Sequence, residues 1–241
     1  MKLLIDSGNS RLKWALSDKQ NHLSTFSIAN EDVTEEKLLE AWSNYDKPEQ
    51  LIIASVATNI LVLLVFSIVS ELWPSVKIKL VKSQEDSYGV TNAYVEADKL
   101  GVDRWLALIA AHHYYPGLTC IVDCGTAITV DVIDAEGRHQ GGLISPGLVL
   151  MKKALANETA RLPYESSVQL EGLANSTEAG IFNGTLYAAV GLIEHVLHNQ
   201  SIGTQLILTG GDAELIARLL NTPLIIDSDL VFKGLSIIAE Q

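Results

Sequence analysis

The chain has 241 residues, 48% of them apolar and 19% charged, and its 17 Lys and Arg against 29 Asp and Glu leave a formal charge of −12. That much apolar side chain can offset the entropy of ordering the backbone, which excludes a disordered chain. The acidic balance, with no run of Lys or Arg, argues against a phosphate-backbone footprint on DNA or RNA, and the length suits one large domain or two halves of about 120 residues.

The N-terminus reaches Asp6 after the three apolar residues Leu3 to Ile5, too few for a signal-peptide core, so no export is expected. Leu3 to Ile5, Leu12 to Leu16 and Leu23 to Ile28 surround turn residues and predict a three-strand meander. Glu35 to Tyr45 has helical spacing, Leu51 to Ala57 is a buried strand, Asn59 to Leu72 is a helix stopped by Pro74, and Val76 to Val81 is another strand. The apolar run Ile60 to Val69 is about ten residues, well short of the roughly 20 of a membrane span. Polar residues from Lys82 to Glu96 predict a surface loop, and Leu100 to His113 resumes a helix.

The second half starts as the first does. Leu118 to Asp123, Ala127 to Ile133 and Arg138 to Ile144 are strands, the last two joined by a hairpin turn at Asp134 to Gly137. A long helix spans Thr177 to His198, and its small residues Gly180, Gly184, Ala188, Ala189 and Gly191 predict close packing against a neighbour. Leu206 to Leu208 and Pro223 to Ile226 are strands that each lead into a helix. Asp6-x-Gly8-Asn9 and Asp123-x-Gly125-Thr126 lie 117 residues apart, each between two apolar strands. With the repeated element order, this predicts an internal duplication: an α/β chain of two domains, 1–115 and 116–241, each a mixed sheet of a meander plus strand-helix units. Cys120 and Cys124 have no partners at zinc-ligand spacing and read as reduced, buried thiols of a cytoplasmic protein.

A carboxylate at a strand end followed by a glycine turn suits phosphate chemistry. Glycine lets the backbone approach, the turn N–H groups donate to oxygens, and the carboxylate can hold a cation. Either turn alone is more often an ordinary hairpin, but two facing copies would clamp a polyphosphate. Lys13, beyond the first turn, could point a charge back toward it. Gly101-Val102-Asp103-Arg104 opens an amphipathic helix with an acid that could accept a hydroxyl proton and a guanidinium that could grip a carboxylate; a surface ion pair is the bland alternative. Gly210-Gly211-Asp212-Ala213 could admit the adenosine end of a nucleotide or simply start a helix. Thr177 reads as a helix-start hydroxyl, and Asp131 could steady the second turn or a second cation. The six histidines show no metal-ligand spacing, and His112, His113, His195 and His198 read as helix-surface residues.

Together these motifs resemble the type III pantothenate kinases, a family of the acetate and sugar kinase/Hsp70/actin superfamily. The resemblance runs through Asp6 to Lys13, Asn92-Ala93-Tyr94, Leu100 to Trp105, Asp123 to Asp131, Gly141-Gly142 to Pro146-Gly147, Gly210 to Ala213 and Asp229-Leu230-Val231. It implies two duplicated actin-like (ribonuclease H-like) domains and a cytoplasmic homodimer. The activity it implies is transfer of the γ-phosphoryl of ATP to pantothenate, the first step of coenzyme A biosynthesis, with Mg²⁺ on ATP and a monovalent cation, K⁺ or NH₄⁺. By the same resemblance Asp6, Ser7, Gly8, Asn9, Ser10, Arg11, Leu12 and Lys13 hold the ATP phosphates and Thr126 contacts ATP. Asp103 is the catalytic base, and Tyr94, Gly101, Val102, Asp103 and Arg104 bind pantothenate. Thr177 reaches the substrate from the partner subunit, so the site lies near the subunit interface, and Asp123 is the cation ligand. Ser10 stands where threonine is frequent, and Ala97 where proline is, which bears on the rigidity of the substrate loop. The alternatives are a non-catalytic regulatory relative of the same fold and a superfamily kinase acting on another small molecule. No nucleic acid or membrane partner is expected.

Overall fold

The computed structural model describes residues 1–18, 20, 22–158 and 172–240. In the first sheet β1 (Lys2–Ser7), β2 (Arg11–Ser17) and β3 (Leu23–Ala29) form the antiparallel meander, and β4 (Gln50–Ser55) and β5 (Lys77–Leu80) extend it in parallel, in the order β3-β2-β1-β4-β5. The central strands β1 and β4 are apolar runs because both of their faces are covered: Leu3, Leu4, Ile5, Leu51, Ile52 and Ile53 are fully buried. On one face α1 (Glu35–Trp42), capped by the Thr34 hydroxyl accepting from Lys37 N at 3.2 Å, and α2 (Asn59–Leu72) supply Leu38, Trp42, Val65 and Ile68 to this core.

The segment expected as a surface loop holds a small hairpin, β6 (Asp86–Ser87) with β7 (Val90–Thr91), and it is not all surface. Val90, Asn92 and Ser83 are buried, because side-chain amide and hydroxyl groups satisfy the backbone that polar composition had suggested water would satisfy. Helix α3 (Val102–Tyr114) follows.

The second sheet repeats the plan. Strands β8 (Thr119–Cys124), β9 (Ala127–Ile133) and β10 (His139–Pro146) come first. Then α4 (Leu148–Glu158) and α5 (Thr177–His198) lead to β11 (Gln205–Thr209), α6 (Ala213–Ala217) and β12 (Leu224–Ile226), with strand order β10-β9-β8-β11-β12. The two sheets share one order of strands, the topological form of the predicted duplication. Asp6 faces Lys13 across β1–β2, whereas Asp123 faces Thr129 across β8–β9.

Four of the five small residues of α5 pack against nothing among the described residues, and only Ala189 enters the core. A Cβ on Gly180, Gly184 or Gly191 would meet nothing within 4 Å, and Ala188 is exposed. The helix instead buries Phe182, Leu186, Ala189, Val190 and Ile193 in the second core. It is also the one described helix long and apolar enough to cross a membrane, and half of its apolar window is buried as in a core helix.

By contacts the chain forms two compact units, Met1–Tyr115 with Glu136–His139 and Asp229–Gln241, and Pro116–Ala135 with Gln140–Ser228. The last helix, α7 (Leu230–Ala239), thus belongs with the first unit, although the sequence reading groups it with the second half. It lies against α3 so closely that a Cβ on Gly234 would collide with the Leu106 carbonyl. Cys120 and Cys124 are free and buried, and burial pushes both thiols up to about 12, helped by Asp131 at the first and by Asp123 and Asp212 at the second.

Candidate active site

In the first unit, Asp6 ends β1 and the antiparallel register sets Lys13 opposite it, with Nζ 3.9 Å from Oδ2. Asp6 is buried, while the Lys13 side chain remains 41% exposed, so its ammonium is open to an incoming anion. Gly8 N donates to the Arg11 carbonyl at 3.1 Å to close the turn. Asn30, which no sequence motif marks, pins that turn from the 3₁₀ turn just after β3: its Nδ2 donates to the carbonyls of Gly8 at 2.8 Å and Asn9 at 3.0 Å. The Ser7 hydroxyl is buried and has no hydrogen-bond partner among the described residues. Two members of the predicted segment point elsewhere. Leu12 is fully buried in the core, which leaves only its backbone at the turn, and the Arg11 guanidinium donates to the Ser27 hydroxyl at 2.8 Å along the sheet.

The second cluster of this unit joins Tyr94 to the start of α3. Arg104 is 5% exposed, so it is not the surface ion-pair residue of the bland reading. A guanidinium taken out of water needs acceptors and a polarisable surface. Nη1 donates to the Tyr94 hydroxyl at 2.8 Å, and the guanidinium carbon lies 5.5 Å from the centre of the Tyr94 ring. Asp103 Oδ1 accepts from Arg104 N at 2.8 Å and folds back over Gly101, where a Cβ would come within 2.6 Å of it. A glycine at 101 is therefore what leaves the carboxylate room at the helix start. Val102 is buried.

Asn92 ties the loop that carries Tyr94. Its Nδ2 donates to the carbonyls of Gln84 and Ala97 at 3.2 and 3.1 Å, and its Oδ1 accepts from Tyr94 N at 3.0 Å. Ala97 opens the 3₁₀ turn Ala97–Lys99, and the residue before it, Glu96, is extended at φ −107°, ψ 99°. Both positions suit a proline pair: proline is favoured as the first residue of a helical turn, and an extended residue tolerates preceding it. Ala97→Pro is expected to raise stability by about 0.4–1 kcal/mol through a stiffer unfolded chain, read as a higher melting temperature with the KM values unchanged; a lower melting temperature would show that the loop needs the freedom of alanine.

In the second unit three segments meet around Asp123. Gly125 N donates to the Ala127 carbonyl, Gly147 N to the Thr126 carbonyl, and Asp212 N to the Cys124 carbonyl at 3.0 Å. Gly210, at φ +90°, lies so close that a Cβ would strike Asp123 Oδ1 and come within 2.6 Å of the Cys124 carbonyl. Burial raises the Asp212 carboxyl above its ordinary range, opposed by the Lys152 ammonium of α4. Among the described residues no three His, Cys, Asp or Glu side chains cluster as metal ligands. Asp131, on β9 opposite Ile121, is buried. Thr177 is the first residue of α5, but Ser176 is its cap, accepting from Ala179 N at 3.3 Å, so the helix start does not occupy the Thr177 hydroxyl.

A sequence profile of the type III pantothenate kinases matches residues 2–199. The chain belongs to the type III pantothenate kinase family. A type III pantothenate kinase of Nitrosococcus oceani is 36% identical over 252 residues, covering 100% of this chain and 94% of that one, and a Burkholderia lata relative of the same name is 35% identical over 256 residues, covering 99% and 95%. Among solved structures, a proposed Baf family transcriptional activator from Campylobacter jejuni superposes with a TM-score of 0.64 at 24% identity, over 99% of this chain and 98% of that one. The activator of the 2-hydroxyisocaproyl-CoA dehydratase from Clostridium difficile, solved with bound ADPNP, superposes at 0.57 and 13% identity, over 99% and 93%. These likenesses establish the fold, two actin-like α/β domains with five-stranded mixed sheets.

Proposed function

We propose that the protein transfers the γ-phosphoryl group of ATP to the terminal hydroxyl of pantothenate, giving 4′-phosphopantothenate for coenzyme A biosynthesis. The observation that carries this reading is the buried Arg104, held by Tyr94 and preceded at the helix start by the Asp103 carboxylate, in a member of this kinase family. A buried guanidinium is a strong subsite for the pantothenate carboxylate. Gly101, Val102 and Tyr94 shape the pocket around it.

Phosphoryl transfer demands in-line positioning and neutralisation of charge rather than covalent help. Asp103 accepts the proton as the hydroxyl oxygen bonds to the γ-phosphorus and the bond to the ADP oxygen breaks. The turn from Asp6 to Lys13 holds the phosphates through its backbone N–H groups, the unengaged Ser7 hydroxyl and the Lys13 ammonium. Thr126 contributes a further ATP contact. With a net charge of −12, local cations are needed to attract two anionic substrates.

Mg²⁺ accompanies ATP, and Asp123 holds K⁺ or NH₄⁺. A carboxylate beside backbone carbonyls, with Gly210 leaving space against it, is an oxygen donor set suited to a hard, weakly held cation and unsuited to a histidine- or thiolate-bound metal. These cations supply electrostatic neutralisation of the transferring group. The protein works as a cytoplasmic homodimer in which Thr177 reaches the partner's substrate. The exposed line of Gly180, Gly184, Ala188 and Gly191 on α5 supports a close helix approach, and the two free, buried thiols support a reducing compartment. An assay of ADP release with ATP, Mg²⁺ and K⁺ should show turnover with pantothenate and none with acetate or glucose. Replacing K⁺ by Na⁺ should lower the rate; equal rates in both would remove the monovalent site, and turnover with glucose instead would overturn the substrate.

A further inference from the structure

We propose that His139 is a positioning residue for the pantothenate subsite, holding Tyr94 so that Tyr94 can hold Arg104; this rests on the pocket assignment above. His139 is 5% exposed and lies at the tip of the β9–β10 hairpin, 45 residues after Tyr94. Its ring is nearly parallel to that of Tyr94, 14° between planes and 6.2 Å between centroids. Its Nδ1 accepts from the backbone N–H of Ala93 at 3.4 Å, which ties the ring to the loop that carries Tyr94. One face of the phenol is thus backed by imidazole, while its hydroxyl accepts from Arg104 Nη1 at 2.8 Å.

The hairpin tip is itself fastened. Thr91 N donates to the Gly137 carbonyl at 2.9 Å, and Thr91 bridges Arg138 in parallel. Gly137, at φ +82°, lets the tip press onto Gly89, where a Cβ would collide with the Gly89 carbonyl. The imidazole is therefore a rigid backstop delivered by a distant hairpin, and the guanidinium that grips the substrate is set through Tyr94.

An offset aromatic pair contributes about 0.5–1.5 kcal/mol beyond its buried area, so losing it should be visible as a binding defect of about tenfold at most. In the full-length enzyme, His139→Ala is expected to raise KM for pantothenate about two- to tenfold while kcat stays within about threefold and KM for ATP is unmoved. His139→Phe, which keeps the ring, should restore most of the wild-type KM, and His139→Gln, which keeps an acceptor without a ring, should not. A general loss of structure would lower the active fraction without this split. An unchanged pantothenate KM in His139→Ala, or equal values for His139→Phe and His139→Gln should the alanine variant fail to fold, overturns the proposal. Arg104→Lys separates the two levels. If it raises the pantothenate KM and His139→Ala does not, the pocket stands and the role of His139 falls; if it leaves KM unmoved, the pocket assignment falls and this inference with it.

Discussion

Asp103→Asn is expected to lower turnover with pantothenate by about 100-fold or more while the protein melts at the wild-type temperature. Asparagine has nearly the same shape, and its Oδ1 can keep the acceptor role toward Arg104 N that Asp103 now fills at 2.8 Å. The amide still fits over Gly101, so the α3 start has no reason to rearrange. What disappears is the capacity to take a proton, and a positioned general base contributes about 10²–10⁴-fold. The loss should fall on kcat, because the grip on the carboxylate is the role proposed for Arg104. A variant with near-full turnover would remove Asp103 from the mechanism and leave it as a helix-start residue.

Gly210→Ala should be the most damaging of the small substitutions in the second unit. A side chain at φ +90° is strained by about 1–3 kcal/mol, and the new methyl would have to displace Asp123 Oδ1 and the Cys124 carbonyl, neither the loose end of a flexible side chain. Overpacking of this kind adds about 1–3 kcal/mol more. The expected sum, about 2–6 kcal/mol, should appear as a large fall in melting temperature. If Asp123 holds K⁺ as proposed, any folded fraction should need more K⁺ for half-maximal rate, since Asp123 has been pushed aside. Gly211→Ala is the paired control: a Cβ there meets nothing within 4 Å, so its melting temperature should match wild type. If Gly210→Ala melts like Gly211→Ala, the crowding around Asp123 has no energetic weight.

The strands of both meanders were legible because each is a short apolar run cut by glycine and polar turns, and the Asp-x-Gly pairs fell on matching strand ends. Arg104 was found as a candidate, yet its burial was not, because an arginine near the first turn of a helix reads the same whether it faces water or a tyrosine ten residues back. Helix α4 carries helical spacing at Leu148, Met151 and Leu155, but the Pro146-Gly147 pair directly before it is a turn signal that masks its start. Strands of two residues such as β6 and β7 are too short for any period to show. Asn30 and His139 were out of reach for a different reason. Each acts on a turn or ring far along the chain through one polar or aromatic contact, and no local pattern encodes a contact 22 or 46 residues away. Thr177 is at the helix start as its sequence suggests, and Ser176, one residue earlier, is the cap.

The return of α7 to the first unit bears on how the enzyme is made. The ribosome completes both sheets before it reaches Leu230, so the N-terminal unit must wait, with its α3 surface at Leu106 uncovered, until a segment synthesised after the entire second sheet comes back to seal it. Vectorial folding, in which an early domain finishes before the next begins, is closed to this chain. A fragment cut at Tyr115 would carry a raw apolar seam and should be rescued by supplying the terminal helix as a separate peptide.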